Sequence, residues 1–265
     1  MADFRLGKSA DAHHFRHRRS GLLSAGRLTD DGIRLRLRAE DIVAMADQTV
    51  REFTKKDETV AGDIRIGAAE GEAMRIPGRC MKQLKEKYPA IQYHLYAGDT
   101  EMLKEKLESG FLDFLMIAEN PDLSRFHSIP MPLKDRWGLI IRNDDPLAQK
   151  ETITKEDLME IPLIISRQAL HQDLRILFGD DAHRIHIAAT YDLAHNASLL
   201  VQEGYGALLA FDHLADLGPS TGLTFRSISP ALYTSMHLIY RKYQIFSPQA
   251  EIFLDAVSRL AEESS

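Results

Sequence analysis

Six apolar residues, Leu35, Ala39, Ile42, Ala46, Val50 and Phe53, recur at spacings of four, three, four, four and three. With 3.6 residues to a turn, that spacing predicts a single apolar seam along one helix. Thr29 precedes it as a helix cap, with Asp30 and Asp31 favourably placed at the positive end of the helix dipole. A helix from about Asp30 to Lys55 would be roughly 40 Å long. Its seam calls for a partner helix and is read as a dimerisation surface; a helix folded back onto its own domain is the alternative.

From Ala61 onward the pattern alternates strand and helix. Strand 64–68, helix 72–88, strand 91–96, helix 100–108 and strand 111–117 predict βαβ units around a parallel sheet. A loop carrying Pro121, Pro130 and Pro132 follows, and strand 137–141 opens a second lobe. That lobe is expected to hold helix 154–159, strand 163–165, helix 170–177, strand 184–189, helix 194–203 and strands 207–210 and 223–228. Strand 236–241 and helix 248–261 return to the first lobe. Gly67 is expected to turn the chain off a strand edge, and Gly204 and Gly206 to bracket a sharp helix exit.

Charge divides the chain unevenly. Residues 1–38 hold nine Lys/Arg against four Asp/Glu, while residues 39–265 hold twenty-four against thirty-five. Nucleic-acid contact is therefore expected at the N-terminal end only, through Arg16, Arg18, Arg19, Arg34, Arg36 and Arg38; a solvated charge run is the competing reading. The single cysteine, Cys80, excludes an internal disulfide framework and reads as a packing residue. No apolar run is long enough to span a bilayer and no signal-peptide pattern is present, so a cytoplasmic protein is expected.

Six segments carry a family likeness in the correct order: Leu28-Thr29-Asp30-Asp31-Gly32, residues 62–68 (GDIRIGA), Tyr88-Pro89-Ala90-Ile91, residues 110–114 (GFLDF), residues 144–148 (DDPLA) and residues 201–206 (VQEGYG). Together they resemble the LysR-type transcriptional regulators from the linker helix onward. The resemblance implies an α/β, two-lobed, periplasmic-binding-protein-like (type 2) effector domain of βαβ units, preceded by a long linker helix. The implied divisions are an irregular basic remnant of the DNA-binding head at 1–27, a linker and dimerisation helix at 28–58, and an effector domain at 60–265. Within it, lobe I comprises 60–118 and 236–265, and lobe II comprises 136–229. Residues 1–27 offer no apolar-periodic helix pair for a winged helix-turn-helix. DNA binding is thus expected by family resemblance but impaired or absent in this chain. A homodimer or homotetramer is implied, with helix 72–88 facing a neighbour's second lobe.

Ligands of open α/β sheets lie beyond the carboxyl ends of the strands. That rule selects Ala69, Glu70 and Gly71; Gly98, Asp99 and Thr100; Ser166, Arg167 and Gln168; then Tyr191, Asn196 and Phe211. By resemblance these residues line the family's inducer cleft. Asp99, Thr100, Ser166 and Asn196 also read as helix caps. Arg167 is expected to hold an anionic group of a small organic effector while Glu70 receives a donor.

The chain has no nucleophile elbow, no zinc-binding His-Glu-x-x-His, no Cys-x-x-Cys and no phosphate-binding loop of Walker type. The His13, His14 and His17 group and the His183 and His186 pair lack a rigid ligand arrangement. No cofactor, metal or enzymatic activity is expected. The alternative function is a two-lobed solute-binding protein without a DNA role.

Overall fold

The computed structural model describes residues 23–24, 27–54, 60–118, 121–171 and 177–264. The chain forms two compact units, residues 1–56 and residues 57–265. In the first, two short strands, β1 (Leu23–Ser24) and β2 (Arg27–Leu28), pair antiparallel within a stretch expected to be irregular. Helix α1 (Asp30–Thr54) follows. Thr29 caps it: its hydroxyl accepts from Gly32 N–H at 3.2 Å and its carbonyl from Ile33 N–H at 2.8 Å. Leu35, Ala39, Ile42 and Ala46 of the seam are solvent-exposed within this unit, and the side chains of Val50 and Phe53 lie outside the described set.

The second unit begins with β3 (Gly62–Ala68), whose Ile64 and Ile66 are fully buried. Burying a side chain of this size stabilises by about 1.5–3 kcal/mol. A 3-10 turn (Glu72–Met74) leads into α2 (Arg75–Lys87), which places Ile76, Cys80 and Leu84 inward at intervals of four. Then follow β4 (Ile91–Tyr96), α3 (Thr100–Glu108) and β5 (Phe114–Ile117). Strands β3, β4 and β5 pair in parallel, as a βαβ pattern requires.

The chain then enters β6, one strand from Phe126 to Arg142. A loop was expected over Pro130 and Pro132 before a fresh strand at Trp137; the structure corrects this. Residues 126–136 pair antiparallel with β12 (Tyr233–Arg241), and residues 137–142 pair with β10 (Ala207–Phe211) and β11 (Leu223–Ile228). The prolines fit because the β6–β12 register shifts between the Ser235–Lys134 and His237–Pro130 pairs, leaving Pro132 in the irregularity where no ladder N–H is demanded.

The second half contains β7 (Thr152–Ile153), α4 (Lys155–Met159), β8 (Leu163–Ser166), α5 (Arg167–His171), β9 (Ile187–Tyr191) and α6 (Ala194–Gln202). The helix expected at 170–177 starts earlier: α5 runs from Arg167 to His171, and residues 172–176 lie outside the described residues. The strand expected from Arg184 begins at Ile187, because Gly179–Arg184 forms a 3-10 turn. Strands β8, β9 and β10 are mutually parallel, and β10 is antiparallel to β6. Helix α7 (Pro248–Glu263) closes the chain, burying Phe253, Val257 and Ala261 at intervals of four against the first sheet. The hydrogen-bonded strand order β4-β3-β5-β12-β6-β10-β8-β9 thus runs through both halves, with β6 in each.

Gly204 adopts φ +76° at the exit of α6, a left-handed conformation that favours glycine. Gly67 lies inside β3 and does not turn the chain. A Cβ there would sit 2.7 Å from Leu115 Cδ1 and 2.9 Å from Leu112 Cδ1, so its constraint is packing.

Candidate functional site

Between the two halves lies a cavity of about 80 Å³. Its first wall comes from the carboxyl ends of β3, β4 and β5, as Ala68, Ala69 and Glu70, then Ala97 to Thr100, and Ala118. The opposite wall comes from β8, β9 and β10, through Ser166, Arg167 and Gln168, Tyr191 to Leu193, and Phe211 with Leu214. Trp137 of the shared strand forms part of the lining, its ring meeting Phe211 edge to face at 4.5 Å between centroids. The indole N–H donates to Thr234 Oγ1 at 2.8 Å.

The polar groups are already engaged. Asp99 Oδ1 accepts from Glu101 and Met102 N–H, capping α3. Ser166 Oγ accepts from Ala169 N–H at 3.0 Å, capping α5. Two hydrogen bonds cross the cavity: Ala194 N–H donates to Glu70 Oε2 at 2.8 Å, and Thr100 Oγ1 donates to Gln168 Oε1 at 3.3 Å. The first satisfies an amide at the start of α6, whose own cap position, Leu193, supplies no side-chain acceptor. Burial, reinforced by the nearby Glu70 carboxylate, pushes the Tyr191 phenol well above its ordinary range, and its hydroxyl donates to the Leu209 carbonyl at 3.3 Å. Arg167 is paired rather than free: Nε and Nη2 reach the two Asp192 oxygens at 2.9 and 2.5 Å.

About 80 Å³ is the volume share of only a few water molecules and falls below the usual range for ligand sites. The Glu70 and Thr100 contacts tie the two halves across the cavity.

Residues 57–262 match the family model described as the LysR substrate binding domain. The chain belongs to the LysR substrate-binding domain family. Among curated relatives, the uncharacterized HTH-type transcriptional regulator YvbU of Bacillus subtilis is 22% identical over 247 residues, 92% of this chain and 82% of the relative. Full-length CbnR, a LysR family regulator solved with its target DNA, superposes with a TM-score of 0.69 at 16% identity, covering 94% of this chain and 88% of that one. The effector-binding domain of QuiR in complex with shikimate gives 0.64 at 16% identity, over 77% of this chain and 99% of the other.

In this LysR domain all the cleft residues selected from sequence line the cavity except Gly71 and Asn196. Gly71 backs onto the shared strands, where a Cβ would meet Met236 Cε at 2.2 Å and Asp135 Oδ2 at 2.8 Å. Asn196 is the third residue of α6 and faces solvent; the helix starts at Ala194, so Asn196 is no cap. Thr100 is likewise the first residue of α3, with Asp99 as its cap.

Ala68, Ala97, Ala118, Trp137, Asp192, Leu193 and Leu214 were missed. Ala118 follows β5 and obeys the same strand-end rule; Trp137 was hidden because its strand is shared by both halves. Arg16, Arg18 and Arg19 lie outside the described residues, as do His13, His14 and His17. Arg34 and Arg38 lie on α1, and Arg36 pairs there with Glu40 at 3.5 Å. Among the described residues no His/Cys/Asp/Glu group is arranged to hold a metal, and no helix is long and apolar enough to cross a membrane. Cys80 is buried, and loss of hydration pushes its thiol up to about 11. It remains protonated at neutral pH and packs as a small apolar group.

Proposed function

We propose that this chain is a LysR-type transcriptional regulator, acting in the cytoplasm, whose interlobe cavity senses a small organic acid. The observation that carries this reading is the cavity itself, walled by strand ends from both halves and crossed by the Glu70–Ala194 and Thr100–Gln168 hydrogen bonds. The QuiR effector domain, of the same fold, was solved with shikimate, which supports a ligand of that size. The effector's acid group takes Arg167 from Asp192, and a donor group meets Glu70. Ala69, Asp99, Ser166, Gln168, Tyr191 and Phe211 form the surroundings.

Trp137 is the sole tryptophan and lines the cavity, so its emission reports occupancy. Titration with a panel of small organic acids is expected to shift that emission for at least one acid. Arg167→Ala is expected to weaken the response, whereas Asp192→Asn, which releases the guanidinium, should strengthen it. Unchanged affinity in Arg167→Ala would refute the assigned role.

The exposed seam on α1 supports assembly into a homodimer or homotetramer. Light scattering at micromolar concentration tests it, and a monomer refutes it. DNA contact is assigned to the basic N-terminal stretch as non-specific phosphate binding. A gel shift that shows no affinity even at low salt would overturn this.

A further inference from the structure

A second cavity, wide open to solvent, is lined by Arg136, Lys150 and Arg226 together with Gln149, Phe225 and Ser227. Glu151 is its only carboxylate. Three cations around one cavity stand out on a body where Asp and Glu outnumber Lys and Arg.

Among the described residues, two of these cations have no counter-ion. Arg226 is pinned by neutral acceptors: Nε and Nη2 donate to the Ala148 carbonyl at 3.0 and 2.5 Å, and Nη1 to Thr224 Oγ1 and the Phe225 carbonyl, both at 2.8 Å. Its geometry is fixed while no carboxylate among the described residues meets its charge. Arg136 has a buried Nε with no hydrogen-bond partner among the described residues. Native proteins leave few buried donors unpaired, and an unpaired one costs about 1–3 kcal/mol. Neither guanidinium has a carboxylate within ion-pair distance among the described residues. Lys150 does, meeting Asp157 Oδ1 at 2.6 Å.

We infer that this cavity is a second ligand site, built for a doubly charged oxyanion of the phosphate type, free or esterified. Arg226 offers a fixed charge and one remaining Nη2 N–H, while the guanidinium of Arg136 matches phosphate oxygens geometrically; both are more weakly hydrated than ammonium groups, so the pair favours such a ligand. Gln149 and Ser227 supply further neutral hydrogen-bonding groups at the same wall. The site does not depend on the function proposed for the cleft. It does adjoin it: Arg136 and Trp137 are consecutive residues of β6 and so project to opposite faces of the sheet. Occupation of one face bears on the strand that lines the other.

The test is calorimetric titration of the full chain with inorganic phosphate and, in a separate arm, glycerol phosphate, at constant ionic strength against chloride. Saturable binding of at least one is expected. Arg136→Gln should weaken it about tenfold or more, the loss of one charge-assisted hydrogen bond. Glu151→Gln, on an exposed residue, should tighten it about threefold by removing a like charge. Preference for the ester over inorganic phosphate identifies a phosphorylated metabolite as the source, and the reverse identifies the free ion. Equal affinity in wild type and Arg136→Gln overturns the inference, as does a response that chloride reproduces. Thermal unfolding without phosphate confirms that both variants are folded.

Discussion

The Trp137 indole N–H donates to Thr234 Oγ1 at 2.8 Å, joining two antiparallel strands at the place where the first half of the fold passes into the second. Trp137 is buried, so this donor has no ready substitute in water. Thr234→Val, which keeps the shape and removes the acceptor, is expected to cost about 1–3 kcal/mol. Urea unfolding followed by tryptophan emission measures it. A loss below about 0.5 kcal/mol would mean that the indole finds another partner.

Glu70 serves α6 across the cavity, 124 positions before Ala194 in the chain. Removing a helix cap costs about 0.5–2 kcal/mol. Glu70→Ala should lose that amount and increase amide exchange at the start of α6, whereas Glu70→Gln should retain most of it, since an amide oxygen also accepts. Equal exchange rates in all three proteins would show that the bond does not hold the helix start.

Asp135 is buried between the shared strands, where one oxygen accepts from Glu72 N–H at 2.8 Å and the other has no partner among the described residues. Loss of hydration, aided by the nearby Glu72 charge and opposed by the Glu72 N–H bond, raises its pKa above the ordinary carboxylate value. The folded protein therefore binds this proton more tightly than the unfolded chain. Its contribution to stability is greatest below the ordinary aspartate pKa and is lost as pH rises through the elevated one. Asp135→Asn, which keeps the acceptor, is expected to be more stable than wild type at neutral pH, with the gap closing as pH falls. Parallel stability curves for the two proteins between pH 3 and 7 would contradict the assignment.

Gly138 lies on β6 beneath Phe225: a Cβ there would stand 2.1 Å from Phe225 Cζ and 2.6 Å from the Arg226 carbonyl oxygen. The ring could swing aside, but the carbonyl belongs to a paired strand. Gly138→Ala is expected to destabilise by about 1–3 kcal/mol, and Phe225→Ala should not rescue it fully, because the backbone contact persists. Thermal unfolding of the single and double variants decides the matter.

The sequence was informative where local period governs structure. The seam from Leu35, the inward Ile64 and Ile66, and the four-residue spacing of Ile76, Cys80 and Leu84 follow from chain geometry alone. Most of the cavity lining was also legible, because ligands of parallel sheets collect beyond strand ends. Long-range pairing was not. Nothing near Arg167 in sequence reveals that Asp192, twenty-five residues away, neutralises it, or that Glu70 is committed to α6. Pro130 and Pro132 misled for a different reason. Proline is a sound strand breaker only where the partner strand requires its N–H, and the irregular β6–β12 pairing relaxes that requirement.

That irregularity has a further property. From Pro130 to Lys134 the chain advances four residues while its partner advances two, from Ser235 to His237. The mismatch is even, and side chains alternate with a period of two, so inside and outside keep their parity across it. An odd mismatch would have exchanged Trp137 and Arg136, putting a guanidinium into the cleft and an indole among the cations. The alternation survives because the surplus comes as a pair.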